Sequence, residues 1–180
     1  MTFTKVCGLT TEEQIDWAVE LGYDAIGVVG TAKSKRYREP ARARELANYA
    51  RAQGITSFLV AFTEDEVADA VDAFDVAQLY QWSPRANLAY ASSTPPEPGQ
   101  ESSYFFYDAS AGSGVFEEFP EWVRTVPGRL VLAGGLSADN VGALITEYAP
   151  YGVDVSSSVE IAPGVKSRDA MERFKAATER

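Results

Sequence analysis

Short apolar runs alternate with helical repeats along the whole chain, and this alternation restricts the possible fold more than any other feature. Strand-like segments are read at Phe3–Cys7, Ala25–Val29, Ser57–Phe62, Val76–Tyr80, Leu88–Ser92, Tyr104–Asp108, Leu130–Ala133 and Val153–Ser156. Thr10 and Glu13 are spaced as a capping box, followed by Ile15, Ala18 and Val19 at helical intervals and by Gly22, suited to the left-handed position after a helix. Pro40 suits the first turn of a second helix ending near Gly54, and Thr63 with Glu66 predicts a third that carries Val67, Ala70, Val71 and Phe74. Asn140–Ala149 and Ser167–Glu179, the latter capped by Ser167, are read as later helices. Strands separated by helices pair in parallel through right-handed crossovers. The pattern predicts an α/β fold, a (βα)8 TIM-type barrel forming a single domain over residues 1–180.

Such a barrel usually takes about 250 residues and rarely fewer than about 200, whereas this chain has 180. The shortage falls on residues 81–103, which hold Pro84, Pro95, Pro96, Pro98 and Gly99. Proline removes a helical donor and clashes with the preceding turn. The fourth and fifth helices are therefore expected to be missing or reduced to a turn.

Composition narrows the chemistry. The chain has no histidine and one cysteine, so histidine-based triads, imidazole metal sites and internal disulfides are excluded. Proton transfer must fall to carboxylates, lysine, tyrosine or the thiol, and no metal site is expected. A net charge of −10 argues against nucleic acid as a partner, because phosphate neutralisation needs a basic face. No apolar stretch approaches a membrane span, and the free thiol suits a reducing compartment. The expectation is a cytoplasmic protein that engages neither nucleic acid nor membrane.

Barrel enzymes build their sites from the C-terminal ends of strands, which singles out Cys7 and Asp108. A thiol and a carboxyl facing each other across the barrel mouth suit a proton acceptor and a proton donor. Taken singly, each has a plainer reading, as a small buried hydrophobe or a loop cap. Gly134 and Gly135 follow the seventh strand, and Ser156, Ser157 and Ser158 follow the eighth. Loops at these positions commonly cradle a phosphate through backbone amides and hydroxyls, pointing to a phosphorylated small molecule as the binding partner. The basic run Lys33–Arg38 reads either as a solvated loop or as a carboxylate clamp built on Arg36, whose planar fork lysine cannot reproduce.

Taken together, Lys5-Val6-Cys7-Gly8-Leu9-Thr10, Lys33-Ser34-Lys35-Arg36-Tyr37, Ala77-Gln78-Leu79, Asp108 with Gly112-Ser113-Gly114, Ala133-Gly134-Gly135-Leu136, Tyr151 to Ser157, and Val159-Glu160 with Pro163-Gly164-Val165-Lys166 resemble the phosphoribosylanthranilate isomerase family of tryptophan biosynthesis. The blocks run in family order along nearly the whole chain. The resemblance implies an Amadori rearrangement needing no metal or organic cofactor. It assigns Asp108 as general acid, Cys7 as the base acting as thiolate, Arg36 to the anthranilate carboxylate and Asp154 to the sugar hydroxyls. Gly134, Gly135 and Ser156–Ser158 would grip the phosphate. Either Lys5 or the local amide dipoles are expected to favour the thiolate. Tyr80 stands where the family usually has histidine, and Ser158 where it usually has glycine. Two other readings stay open: a histidine-pathway or bifunctional aminoaldose isomerase, and a degenerate barrel acting as a binding module.

Overall fold

Eight parallel strands close into a barrel in chain order, the first pairing with the eighth. The structure, a computed structural model, describes residues 1–108 and 116–179. The strands are β1 (Phe3–Cys7), β2 (Ala25–Val29), β3 (Thr56–Ala61), β4 (Val76–Leu79), β5 (Leu88–Ser92), β6 (Tyr104–Asp108), β7 (Leu130–Ala133) and β8 (Gly152–Val155). A two-stranded hairpin, β9 (Glu160–Ala162) with β10 (Val165–Lys166), follows β8. The α-helices are α1 (Glu12–Glu20), α2 (Pro40–Gln53), α3 (Val141–Tyr148) and α4 (Arg168–Ala177).

Period-two alternation sorts each strand's side chains. Ala25, Phe58, Val76, Ala89, Ala91, Phe106, Val131 and Ala133 point inward and pack together, with small residues beside large ones so that a narrow barrel can be filled. Their neighbours Ile26, Val28, Leu59, Leu79, Phe105, Tyr107, Leu132 and Val153 face outward into a second cluster under the helices. The lower end is closed by the rings of Phe3, Phe58, Tyr104 and Tyr151.

The helices do not follow every strand. Residues 80–87 and 93–103 form no helix, as the prolines require. The expected third helix is not formed either. Residues 65–67 and 71–73 make separate 3-10 turns. This segment carries Glu64, Asp65, Glu66, Asp69 and Asp72 with no lysine or arginine among them, so a helix here would gather like charges without compensation. Its carboxylates are used elsewhere. Glu66 accepts from the Phe62 amide (3.0 Å), and Glu64 and Asp72 both hold Arg85 (2.7 and 2.9 Å). Half-buried Trp82, Tyr90 and Trp122 cover the strands that lack helices.

The first capping box is displaced by one residue. Thr11, not Thr10, caps α1 by accepting from the Gln14 amide, and Gln14 in turn accepts from the Thr10 amide (2.9 Å). The Thr10 hydroxyl instead donates to the Gly164 carbonyl at 2.6 Å, tying the β1 loop to the β9–β10 hairpin. Ser167 caps α4 as expected, accepting from the Ala170 amide.

Candidate active site

The C-terminal ends of the strands surround a cavity of about 550 Å³, within the usual range for a small-molecule site. Cys7, Asp108, Arg36, Asp154, Gly134, Gly135, Ser156 and Ser157 all line it, although they come from five different strand ends and loops. Ser158 does not. Its hydroxyl donates to the Leu136 carbonyl (2.5 Å), joining the β8 loop to the β7 loop, so its side chain holds loop to loop instead of facing the cavity. The Gly112-Ser113-Gly114 stretch lies outside the described residues.

Glycine sets the shape of two parts of the site. Gly135 has a positive φ (+68°), and a Cβ there would sit 2.2 Å from the Phe116 backbone nitrogen, so no other residue fits. Gly27, paired with Cys7 across β1 and β2, leaves room for two reactive groups. A Cβ at 27 would lie 2.8 Å from Cys7 Sγ and 3.1 Å from Lys5 Nζ.

Lys5 points into the barrel beneath Cys7 and is fully buried. Its ammonium meets Asp154 Oδ2 at 2.9 Å, its register partner on β8, and lies over the rings of Phe58 and Phe106. Burial works against this ammonium, but Asp154 and then Cys7 hold it above the ordinary lysine range, so Lys5 stays cationic. The Asp154 carboxyl is pushed up by burial while Lys5 pulls it back.

Of the two influences expected to favour the Cys7 thiolate, Lys5 does supply an attraction. Burial is nevertheless the larger influence: Cys7 is only 8% exposed, and its thiol is held above the ordinary range despite Lys5 and Lys166. Removing a thiolate from water costs more than these cations return.

Tyr80 links the two candidate catalytic groups. Its ring packs against the Cys7 cluster, and its hydroxyl donates to Asp108 Oδ2 at 2.5 Å. Burial and then the neighbouring Asp108 hold the phenol far above its usual range, so it remains a donor. Arg36 turns its Nε and Nη2 toward Glu160 (2.9 and 2.7 Å), and this bidentate bond raises the guanidinium further. Burial would raise the Glu160 carboxyl, but Arg36 and Lys166 together hold it below the usual range.

Among the described residues, Thr31 Oγ1, Gln78 Oε1 and Asp154 Oδ1 are buried without a hydrogen-bond partner, and all three residues line this cavity. Unpaired buried polar atoms are costly, and a ligand that hydrogen-bonds to these oxygens would offset that cost. The sequence carried a signal for Lys5 and Gln78: each is a polar residue at an inward position near the C-terminal end of a mostly apolar strand. Nothing local in the sequence pairs Glu160 with Arg36, 124 positions away, or Tyr80 with Asp108.

Known proteins resemble this chain in sequence and fold. A family model described as N-(5'phosphoribosyl)anthranilate (PRA) isomerase matches residues 98–177. The N-(5'-phosphoribosyl)anthranilate isomerase of a Geobacter species is 36% identical, over 98% of this chain and 97% of its own length. Among solved structures, TrpF from Jonesia denitrificans is similar with a TM-score of 0.83 at 34% identity, covering 99% of this chain and 97% of that one. A phosphoribosyl anthranilate isomerase in complex with reduced 1-(o-carboxyphenylamino)-1-deoxyribulose 5-phosphate gives a TM-score of 0.80 at 26% identity, with 99% of each chain covered. With its closed eight-stranded barrel and full-length likeness to these relatives, the chain belongs to the N-(5'-phosphoribosyl)anthranilate isomerase family.

Proposed function

We propose that this protein converts N-(5'-phosphoribosyl)anthranilate to 1-(2-carboxyphenylamino)-1-deoxyribulose 5-phosphate, an intramolecular aldose–ketose isomerisation in tryptophan biosynthesis. The observation that carries this reading is the convergence of Cys7, Asp108 and Asp154 with the Gly134–Gly135 and Ser156–Ser157 loops on one cavity, in a chain of this family. The reaction needs one group that gives a proton and another that takes one, acting on a sugar held between a phosphate and an aromatic carboxylate.

In this reading Asp108 protonates the furanose ring oxygen as the bond from that oxygen to C1 breaks, leaving a protonated Schiff base. Cys7, as thiolate, removes the proton from C2, and the electron pair moves into an enolamine. Transfer of a proton to C1 and loss of the hydroxyl proton at C2 give the ketone, so no atom is gained or lost. Tyr80 holds the Asp108 carboxyl in place through its 2.5 Å bond. Lys5 offsets the negative charge that develops on sulfur. Asp154 Oδ1 and Gln78 Oε1 accept from the sugar hydroxyls, which supplies partners to two buried acceptors that have none among the described residues. Gly134, Gly135, Ser156 and Ser157 surround the phosphate, and Arg36 faces the carboxylate. Ser158 supports this arrangement through its bond to Leu136.

Among the described residues, no helix is long and apolar enough to cross a membrane, and a cytoplasmic location, with the chain as one barrel domain, belongs to the same proposal. Steady-state turnover of N-(5'-phosphoribosyl)anthranilate by the purified protein, followed as loss of the substrate's anthranilate fluorescence, tests it. Folded wild-type protein with no turnover, or protein that instead isomerises the histidine-pathway aminoaldose, overturns it.

A further inference from the structure

The β9–β10 hairpin has no part in the chemistry just described, yet it carries a buried charge network that ends at the cavity. The Glu160 side chain is 4% exposed and that of Lys166 fully buried, an expensive placement unless every polar atom is used. Here they are used. Glu160 Oε1 accepts from Arg36 Nε (2.9 Å), Lys166 Nζ (2.8 Å) and the Gly164 amide (3.1 Å), while Oε2 accepts from Arg36 Nη2 (2.7 Å). Lys166 Nζ also donates to the Ser156 carbonyl at 3.1 Å.

The stem of Arg36 is fixed as well. It lies against Gly8, directly after Cys7, where a Cβ would come within 2.5 Å of Arg36 Cδ. A guanidinium presents two edges to planar acceptors. Glu160 occupies the edge made by Nε and Nη2, which leaves the edge made by Nη1 and Nη2 for another carboxylate. An Arg–Glu pair alone is neutral and has little attraction for an anion. Lys166 restores a net charge of +1 to the cluster, inside a protein whose overall charge is −10.

We propose that Glu160 and Lys166 are positioning residues for Arg36: the hairpin holds the guanidinium by one edge, keeps the cluster singly positive, and thereby selects ligands that bear an aromatic carboxylate. The proposal rests on the isomerase reading and extends it to a specificity device outside the barrel strands. Arginine loses much rotamer freedom when it is held, so prior fixing by Glu160 lowers the cost of binding.

The test compares two ligands by titration calorimetry: reduced 1-(o-carboxyphenylamino)-1-deoxyribulose 5-phosphate and the same molecule without its carboxylate. Glu160→Asp keeps the charge but withdraws the carboxylate by one methylene. It is expected to weaken the carboxylated ligand about tenfold and the other by less than about twofold, a free-energy difference readable as fold-change. Lys166→Gln removes the extra positive charge and is expected to produce the same selective loss; it serves as the test if Glu160→Asp does not fold. Equal losses for both ligands, or no loss for either, overturn the proposal. Wild-type turnover measured alongside separates the two claims, because its absence sinks the isomerase reading whereas an unselective loss sinks only the role of the hairpin.

Discussion

The barrel has two unlike halves. Strands β7, β8, β1 and β2 are each followed by an α-helix, whereas β3 to β6 are covered by 3-10 turns, loops and half-buried aromatic rings. Both halves nonetheless contribute to one site. Cys7, Lys5, Asp154 and Arg36 come from the helical half, and Gln78, Tyr80 and Asp108 from the lean one. The strand ladder, continuous around the barrel, positions the side chains at strand ends, and the outer layer chiefly seals the outward-facing apolar surface. Tyr90 against Phe105, Phe105 against Trp122, and Tyr107 against both Trp122 and Phe119 do on the lean side what helices do on the other.

If both halves are equally necessary, Cys7→Ala and Asp108→Asn should each lower kcat/KM by about 10³-fold or more, within or above the range for loss of one acid–base group. A large loss at one and indifference at the other would place the chemistry in a single half. Packing should distinguish the halves next. Phe174→Ala, at a fully buried position on α4, is expected to cost about 3–5 kcal/mol in urea unfolding. Trp122→Ala, at a half-buried position, should cost about half as much and raise hydrogen exchange mainly in β5 and β6. Exchange spreading evenly around the barrel would show that the lean side is no separate unit.

The base comes from the helical half, and its environment predicts a pH dependence. Burial holds the Cys7 thiol above its ordinary value, and the base must be deprotonated to act. In Asp108→Asn, where no acid titrates beside the base, the residual kcat/KM should therefore climb about tenfold per pH unit through neutrality and level off only above about pH 8.5, the value of a free thiol. A plateau already present at pH 7 would contradict this. On the lean side, Tyr80→Phe removes the hydrogen bond to Asp108 and should lower kcat about tenfold, the size of one charge-assisted bond, with KM little changed. The smallest effect should come from Ser167→Ala, which deletes the α4 cap and is expected to cost about 1 kcal/mol in thermal or urea unfolding.

Much of this asymmetry was legible in the sequence, because proline acts locally. Pro84, Pro95, Pro96 and Pro98 rule out helices wherever the chain goes next, and residues 81–103 contain none. The acidic run from Glu64 to Asp72 misled for the opposite reason. Its helical spacing and capping signal are local, but its carboxylates find Arg85 across a loop. Cys7, Asp108 and the Gly134–Gly135 and Ser156–Ser157 loops followed from the barrel pattern, since that fold sends every strand's C-terminal end to one face. Hydrogen-bond partners did not follow. Thr10 prefers the Gly164 carbonyl over its own helix, Ser158 is taken by Leu136, and Arg36 by Glu160, each through contacts that exist only after the chain has closed.

The division into halves also sorts the protein's own optical signals. All four α-helices among the described residues accompany β7, β8, β1 and β2, so far-ultraviolet ellipticity reports chiefly on that side. Of the three tryptophans, Trp82 and Trp122 lie on the other side and Trp17 on α1. A Trp17→Phe variant would leave indole emission reporting on the lean side alone. Melting such a protein while recording both signals would reveal, without any attached label, whether the barrel opens from its aromatic flank or unzips as a whole.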